Sequence, residues 1–222
     1  MRASLRRIAF SLALAALPAA ATLVPGDAHA SVSIAVAYEA LVQDADAVAI
    51  GVPVEQMSVW EDGRIYTYTR VKAESGVAGD LATGADGWVR TMGGVVGKIG
   101  QHVDGEPVLQ VGKPSLLFLR HFKPGTYQVS ARAQGQFPVV FDEQLKAKKI
   151  IRSSAVGVLL PPKPGAQRNA SGVTPKTVTK VDPTMSVRLA KDVLHERALD
   201  DAVRDIAALH KKLHAAATPA GK

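Results

Sequence analysis

The strongest constraint on this chain lies between residues 47 and 72. Glu61-Asp62-Gly63-Arg64 puts Asp-Gly at the centre of a two-residue turn, the pair that tolerates positive φ at both positions and favours a type I′ hairpin. After the turn, Ile65, Thr67, Thr69 and Val71 alternate with Tyr66, Tyr68, Arg70 and Lys72. Before it, Val48, Ile50, Val52 and Val54 alternate through Ala47 to Trp60. A period of two over this length means two half-buried strands, because a helix would need apolar residues three and four apart. Pro53 has no amide hydrogen to give and requires an edge or a bulge.

The same reading extends outward from the hairpin. Gly76 to Gly84 is read as a glycine-punctuated connection, and Gly87 to Met92, with Trp88 and Val89, as a third strand. Ser115-Leu116-Leu117-Phe118-Leu119-Arg120 is continuously apolar, the signature of a central strand covered on both faces. Beyond the Lys123-Pro124-Gly125 turn, Tyr127, Val129 and Ala131 alternate, Phe137 to Phe141 returns, and Lys149 to Arg152 forms a last strand. Ile34, Val36, Tyr38, Leu41 and Val42 close one helical face that ends at Asp44-Ala45-Asp46. Leu199, Val203, Ile206, Leu209 and Leu213 make an amphipathic helix, with Asp200 and Asp201 at its start and His210, Lys211 and Lys212 at its end to complement the dipole. The class expected is mainly β: a small OB-like barrel of six or seven short strands, with a β-sandwich as the alternative, a short leading helix and a C-terminal amphipathic helix.

Arg2, Arg6 and Arg7 precede an apolar run from Ile8 to Val24, and Ala28-His29-Ala30 is a small-x-small site. Residues 1–30 are read as a signal peptide of the secretory pathway, cleaved after Ala30 to leave Ser31 first, with no membrane span after its removal. The expected location is periplasmic or extracellular. Residues 31–160 form the barrel domain, 161–184 a linker rich in Pro, Gly and Lys, 185–216 the C-terminal helix and 217–222 a disordered tail.

The chain has no cysteine, which removes disulfides, thiolate catalysis and cysteine metal sites together. Charge is uneven. Residues 31–142 carry nine Lys/Arg against twelve Asp/Glu, and residues 143–222 carry fifteen against seven, so a body near −3 bears a tail near +8. A basic surface suits an anionic envelope component or an acidic partner. Nucleic acid is not expected, because no run of aromatics is interleaved with the positive residues.

No catalytic constellation emerges. Gly93-Gly94-Val95-Val96-Gly97-Lys98-Ile99-Gly100 lacks both the spacing and the Ser/Thr of a P-loop and reads as turn structure. His195-Glu196 lacks a second histidine at position 199, which is Leu199. His210 and His214 are four apart and read as solvent-exposed helix histidines. No cofactor or metal is expected. His102 with Asp104, and His121, are the histidines of the barrel domain, and together they are the residues an enzyme with a dispersed site would use.

The order Leu41 to Val52, then a hairpin, then Gly76-Val77-Ala78-Gly79-Asp80, then Val111-Gly112-Lys113 before Leu116-Leu117-Phe118-Leu119, resembles exported bacterial proteins without characterised activity. More distantly it resembles netrin-like domains and tissue inhibitors of metalloproteinases, over roughly residues 31–122. That resemblance implies an OB-type five-stranded barrel. It also implies a contact role for the mature N-terminus, Ser31-Val32-Ser33, although the paired cysteines that brace it in those inhibitors are missing here. The functional expectation is an exported, non-enzymatic binding protein with an unknown protein or anionic envelope partner, touching it through Ser31, Val32, Ser33, His102, Asp104 or His121. A metalloprotease-inhibitor-like protein and a hydrolase with a dispersed site are the alternatives.

Overall fold

A computed structural model describes residues 32–162 and 187–217. The cleavage site with Ala28, Ala30 and Ser31, the linker beyond Pro162 and the tail beyond Ala217 lie outside the described residues.

Asp62 and Gly63 take φ of 49° and 74°, as a type I′ turn requires. They join β2 (Ala47–Glu61) to β3 (Arg64–Gly79), a ladder paired from Ala47↔Gly79 to Glu61↔Arg64. The register slips between Pro53 and Glu55, the irregularity expected of Pro53. β3 runs through Gly76 to Gly79, so this stretch is strand rather than connection. Glycine permits it there, since a Cβ on Gly76 would lie 2.5 Å from the Leu81 carbonyl oxygen.

The remaining elements are β1 (Val32–Ile34), α1 (Tyr38–Asp44), β4 (Asp86–Met92), β5 (Gly94–Val96), β6 (Ile99–Gln101), β7 (Ser115–Lys123), β8 (Thr126–Val129), β9 (Gln136–Asp142), β10 (Ala147–Ile150), β11 (Val158–Leu160), α2 (Ala190–Leu194), β12 (Arg197–Ala198) and α3 (Leu199–Ala217). β2, β3 and β4 form an antiparallel meander. β4 then meets β8 in parallel over Trp88↔Thr126 and Val89↔Tyr127, β8 pairs antiparallel with β7, and β7 pairs antiparallel with β2. The ring β2-β3-β4-β8-β7 is the expected OB-like barrel. Its closure is partial, because the β4–β8 seam is only two residue pairs long. β7 also carries β9 on Ser115 to Leu117, so the sheet branches there and continues through β10 to β12.

This geometry explains the continuous apolar run. Leu117 and Leu119 point into the barrel with Ala47, Ala49, Val71, Val89 and Val129. Leu116 and Phe118 point outward with Val48 and Ile50, where α1, α2 and α3 cover them with Leu41, Val42, Leu194, Ala202 and Ile206. At about 25 cal/mol per Å² of apolar surface, this second core is a principal source of stability in a chain without disulfides.

The helical readings are refined in two places. The leading helix begins at Tyr38, because Val32 to Ile34 pairs in parallel with β11 instead of continuing the helical face. The stretch before Leu199 leaves open in sequence one continuous helix or a separate short one, and α2 is the separate short one. His195 and Glu196 follow it, Glu196 at φ 61°, and Arg197 and Ala198 pair with β10 before α3 begins. α3 is therefore packed on the barrel rather than hung from it.

Candidate functional site

The residues singled out in sequence lie in three separate places. Val32 and Ser33 sit in β1, where Val32, Ile34, Val158 and Leu160 of the two-stranded ribbon are each at least half exposed. Ser31 is outside the described residues. His102 Nε2 lies 3.0 Å from Asp104 Oδ1 on the rim of a cleft of about 370 Å³. Glu106 lines the same cleft, accepts a hydrogen bond from the Met92 amide at 3.0 Å and pairs with Arg132 at 2.5 Å. His121 belongs to neither place. Its ring stacks on Tyr127 at 4.9 Å, its Nε2 meets Asp80 Oδ2 at 2.5 Å, and its amide donates to Asp46 Oδ2 at 2.7 Å. The Tyr127 hydroxyl donates to the other Asp80 oxygen at 3.3 Å, and burial and that carboxylate push its pKa up. His121 does not line the cleft that holds His102 and Asp104. Among the described residues there is no cluster of three or more side chains that could hold a metal ion.

The glycine-dense segment reads as turn structure and is a short hairpin. It folds back as the β5–β6 hairpin, and a Cβ on Gly94, at φ 135°, would strike Thr67 Oγ1 and Ser58 Oγ at 2.3 and 2.4 Å.

One surface escaped the sequence reading: the outer face of the β2–β3–β4 meander. Tyr66, Tyr68 and Arg70 project from it on β3, and Trp88 and Arg90 from β4, with Tyr68↔Arg90 and Arg70↔Trp88 paired across the strands. Met57 and Val59 of β2 lie opposite Tyr68 and Tyr66. Met57, Val59, Tyr68, Trp88 and Thr126 form a shallow apolar floor.

A guanidinium stands at each end of this floor. Arg70 bridges Glu55 at 2.9 Å and Asp86 at 3.1 Å. Arg90 lies 3.4 Å over the Tyr66 ring and 4.6 Å from Phe122, and holds Glu61 through Nε at 3.1 Å and a terminal nitrogen at 2.6 Å. The Tyr68 hydroxyl donates to the other Glu61 oxygen. The Arg90 side chain is only 10% exposed, so this end is fixed in place. Hydrogen bonds from Tyr68 and Arg90 hold the Glu61 carboxyl below the usual carboxylate range. Burial, then the bond to Glu61, push the Tyr68 phenol up. Burial pulls on Arg90, and its bonds to Glu61 and the tyrosines more than restore it, so its pKa is raised.

Chemically, this face is amphipathic: aromatic and thioether bodies lie open beside paired guanidiniums. Tyr, Trp and Arg are the residues most often found to carry the binding energy of protein interfaces, and Met is enriched there as an adaptable apolar contact. Aromatics and arginines do interleave here, across two strands rather than along one. Both guanidiniums are already matched by carboxylates, so the pair supplies no surplus charge for a phosphate backbone. The signal present in sequence was the outward set Tyr66, Tyr68, Arg70; what it lacked was the strand that would lie beside it.

The arrangement defines a partly closed OB-like barrel with an open aromatic face. Compared with family models, with curated proteins and with solved structures, the chain finds no match.

Proposed function

We propose that this protein is an exported, non-enzymatic binding module whose partner, another protein, is gripped by the outer face of β3 and β4. The observation that carries the reading is the open floor of Met57, Val59, Tyr68 and Trp88 between two pre-paired arginines. Its shallowness suits a macromolecular surface better than an enclosed small molecule. The separation of His102 and Asp104 from His121 supports a binding role over a dispersed hydrolase. Export rests on the charged head, apolar run and small-residue site of residues 1–30.

The test is capture with the full chain, tagged at its C-terminus and expressed in its own organism, comparing wild type with Trp88→Ala and Tyr68→Ala. One stoichiometric protein retained by wild type and lost by both variants is the expected result. Retention by both variants, or a bait that returns alone, overturns it. N-terminal sequencing of the exported bait is expected to begin at Ser31; an intact Met1 would remove the export part of the reading.

A further inference from the structure

α3 is fastened to the barrel by an apolar stripe with one exception. Leu199, Ala202 and Ile206 are buried in the outer core, where α3 packs on α1, β3 and β10, and the next position of that stripe is His210, itself only 8% exposed. The sequence places His210 and His214 in solvent; the structure buries His210 under the helix and leaves His214 half-buried. Its Nε2 donates to the Ala45 carbonyl oxygen at 3.0 Å, in the link between α1 and β2. His214 stacks on it at 3.8 Å, with its own Nδ1 3.0 Å from the His210 carbonyl oxygen, so the pair is not set to chelate an ion.

We propose that His210 is a proton-sensitive latch, holding the C-terminal half of α3 on the barrel when neutral and releasing it when protonated. The chemistry lies in what surrounds the ring. A neutral imidazole with one N–H given to a carbonyl is satisfied in an apolar contact, whereas an imidazolium brings a second donor and a full charge into it. Few charged groups are placed to accept that charge. On α3 itself His214 is stacked on the ring and repels a second cation. From α1, which packs on α3, come Glu39, matched to Arg188, and Asp44 at its last turn, and from the α1–β2 link comes Asp46, which favours the charge but is engaged by the His121 amide at 2.7 Å. β3 and β10, which also pack on α3, bring Glu74 and Lys148, already matched to each other at 3.7 Å, and β12 brings Arg197, matched to Asp205.

Burial accordingly lowers the His210 pKa from its ordinary 6.5, with Ala45 and Asp46 opposing and His214 adding to the fall. The sign follows. The unfolded or undocked histidine takes up its proton first, so the latch is at full strength above pH 6.5 and weakens as pH falls from there through the lower, docked value. Release uncovers part of the aliphatic face around Val42 and Val48, a surface unrelated to the aromatic one.

The experiment is hydrogen exchange of the α3 amides in the full chain between about pH 8 and pH 5, each rate normalised to an unstructured peptide at the same pH. Protection in residues 206–215 is expected to fall several-fold on acidification, in step with the NMR titration of the His210 ring. His210→Gln keeps a donor for Ala45 and cannot titrate, so it is expected to abolish the step. The wild-type measurement stands alone if that variant folds poorly. Flat protection, a step that does not track His210, or a step retained in His210→Gln overturns the latch.

Discussion

Two outer faces of one barrel have been given opposite treatments. On β2 and β7 the outward residues are Val48, Ile50, Leu116 and Phe118, and three helices seal them from water. On β3 and β4 they are Tyr66, Tyr68, Arg70, Trp88 and Arg90, and no helix of the described residues covers them. The covered face uses groups with no polar atom, because anything else would need a partner in the dark. The open face uses groups with an apolar body and a polar edge, which tolerate water until something displaces it. The contrast separates surface built for folding from surface available for recognition, although both belong to the same sheet.

The comparison can be broken at its covered side first. Phe118→Ala removes a fully buried ring that meets Phe137 edge-on at 6.1 Å, and is expected to cost about 3–5 kcal/mol in urea unfolding. A loss below about 1 kcal/mol would mean the helix layer contributes little. Ile206→Ala, on the helix side of the same contact, is expected to cost about 2–4 kcal/mol. Arg90→Ala tests whether the open face is merely surface: it strands Glu61 and frees Tyr66, for an expected loss of about 1–2 kcal/mol after allowing for partial solvation. Trp88→Ala sharpens the contrast most. Its stability is expected to move by less than about 1 kcal/mol, while affinity for the partner falls about tenfold or more.

The smallest effect is a pH dependence. The folded Glu61 pKa lies below its ordinary 4.5, so its contribution is present above that value and is lost as pH falls through the folded one. Wild type is expected to lose slightly more urea resistance than Glu61→Gln on going from about pH 6 to pH 3, and equal losses would remove Glu61 from the account.

Much of the barrel was legible because its signals are local. Asp62-Gly63 carries its own turn geometry, and the alternation from Ile65 to Val71 names the inner face without reference to any other strand. The run from Leu116 to Leu119 announced burial on both sides, though not what would cover it. Where the reading slipped, the missing information was non-local. Ile34 looks like the start of a helical face until β11 arrives from more than 120 residues away to pair with it. His210 looks solvated on a helical wheel until Ala45 is placed beneath it. The aromatic face was split between β3 and β4, and neither half stands out as a segment.

The sequence by itself determined the main strands of the barrel, the hairpin turn, the mainly β class and the amphipathic stripe of α3, because periodicity and turn chemistry act over a few residues. Only the tertiary structure decided that β8 would close the ring against β4, that three helices would take one outer face, and that Tyr68, Trp88 and Arg90 would meet on another. Those are pairings between distant parts of the chain, selected by which apolar surfaces can be buried together, and no short window of residues contains both sides of such a choice.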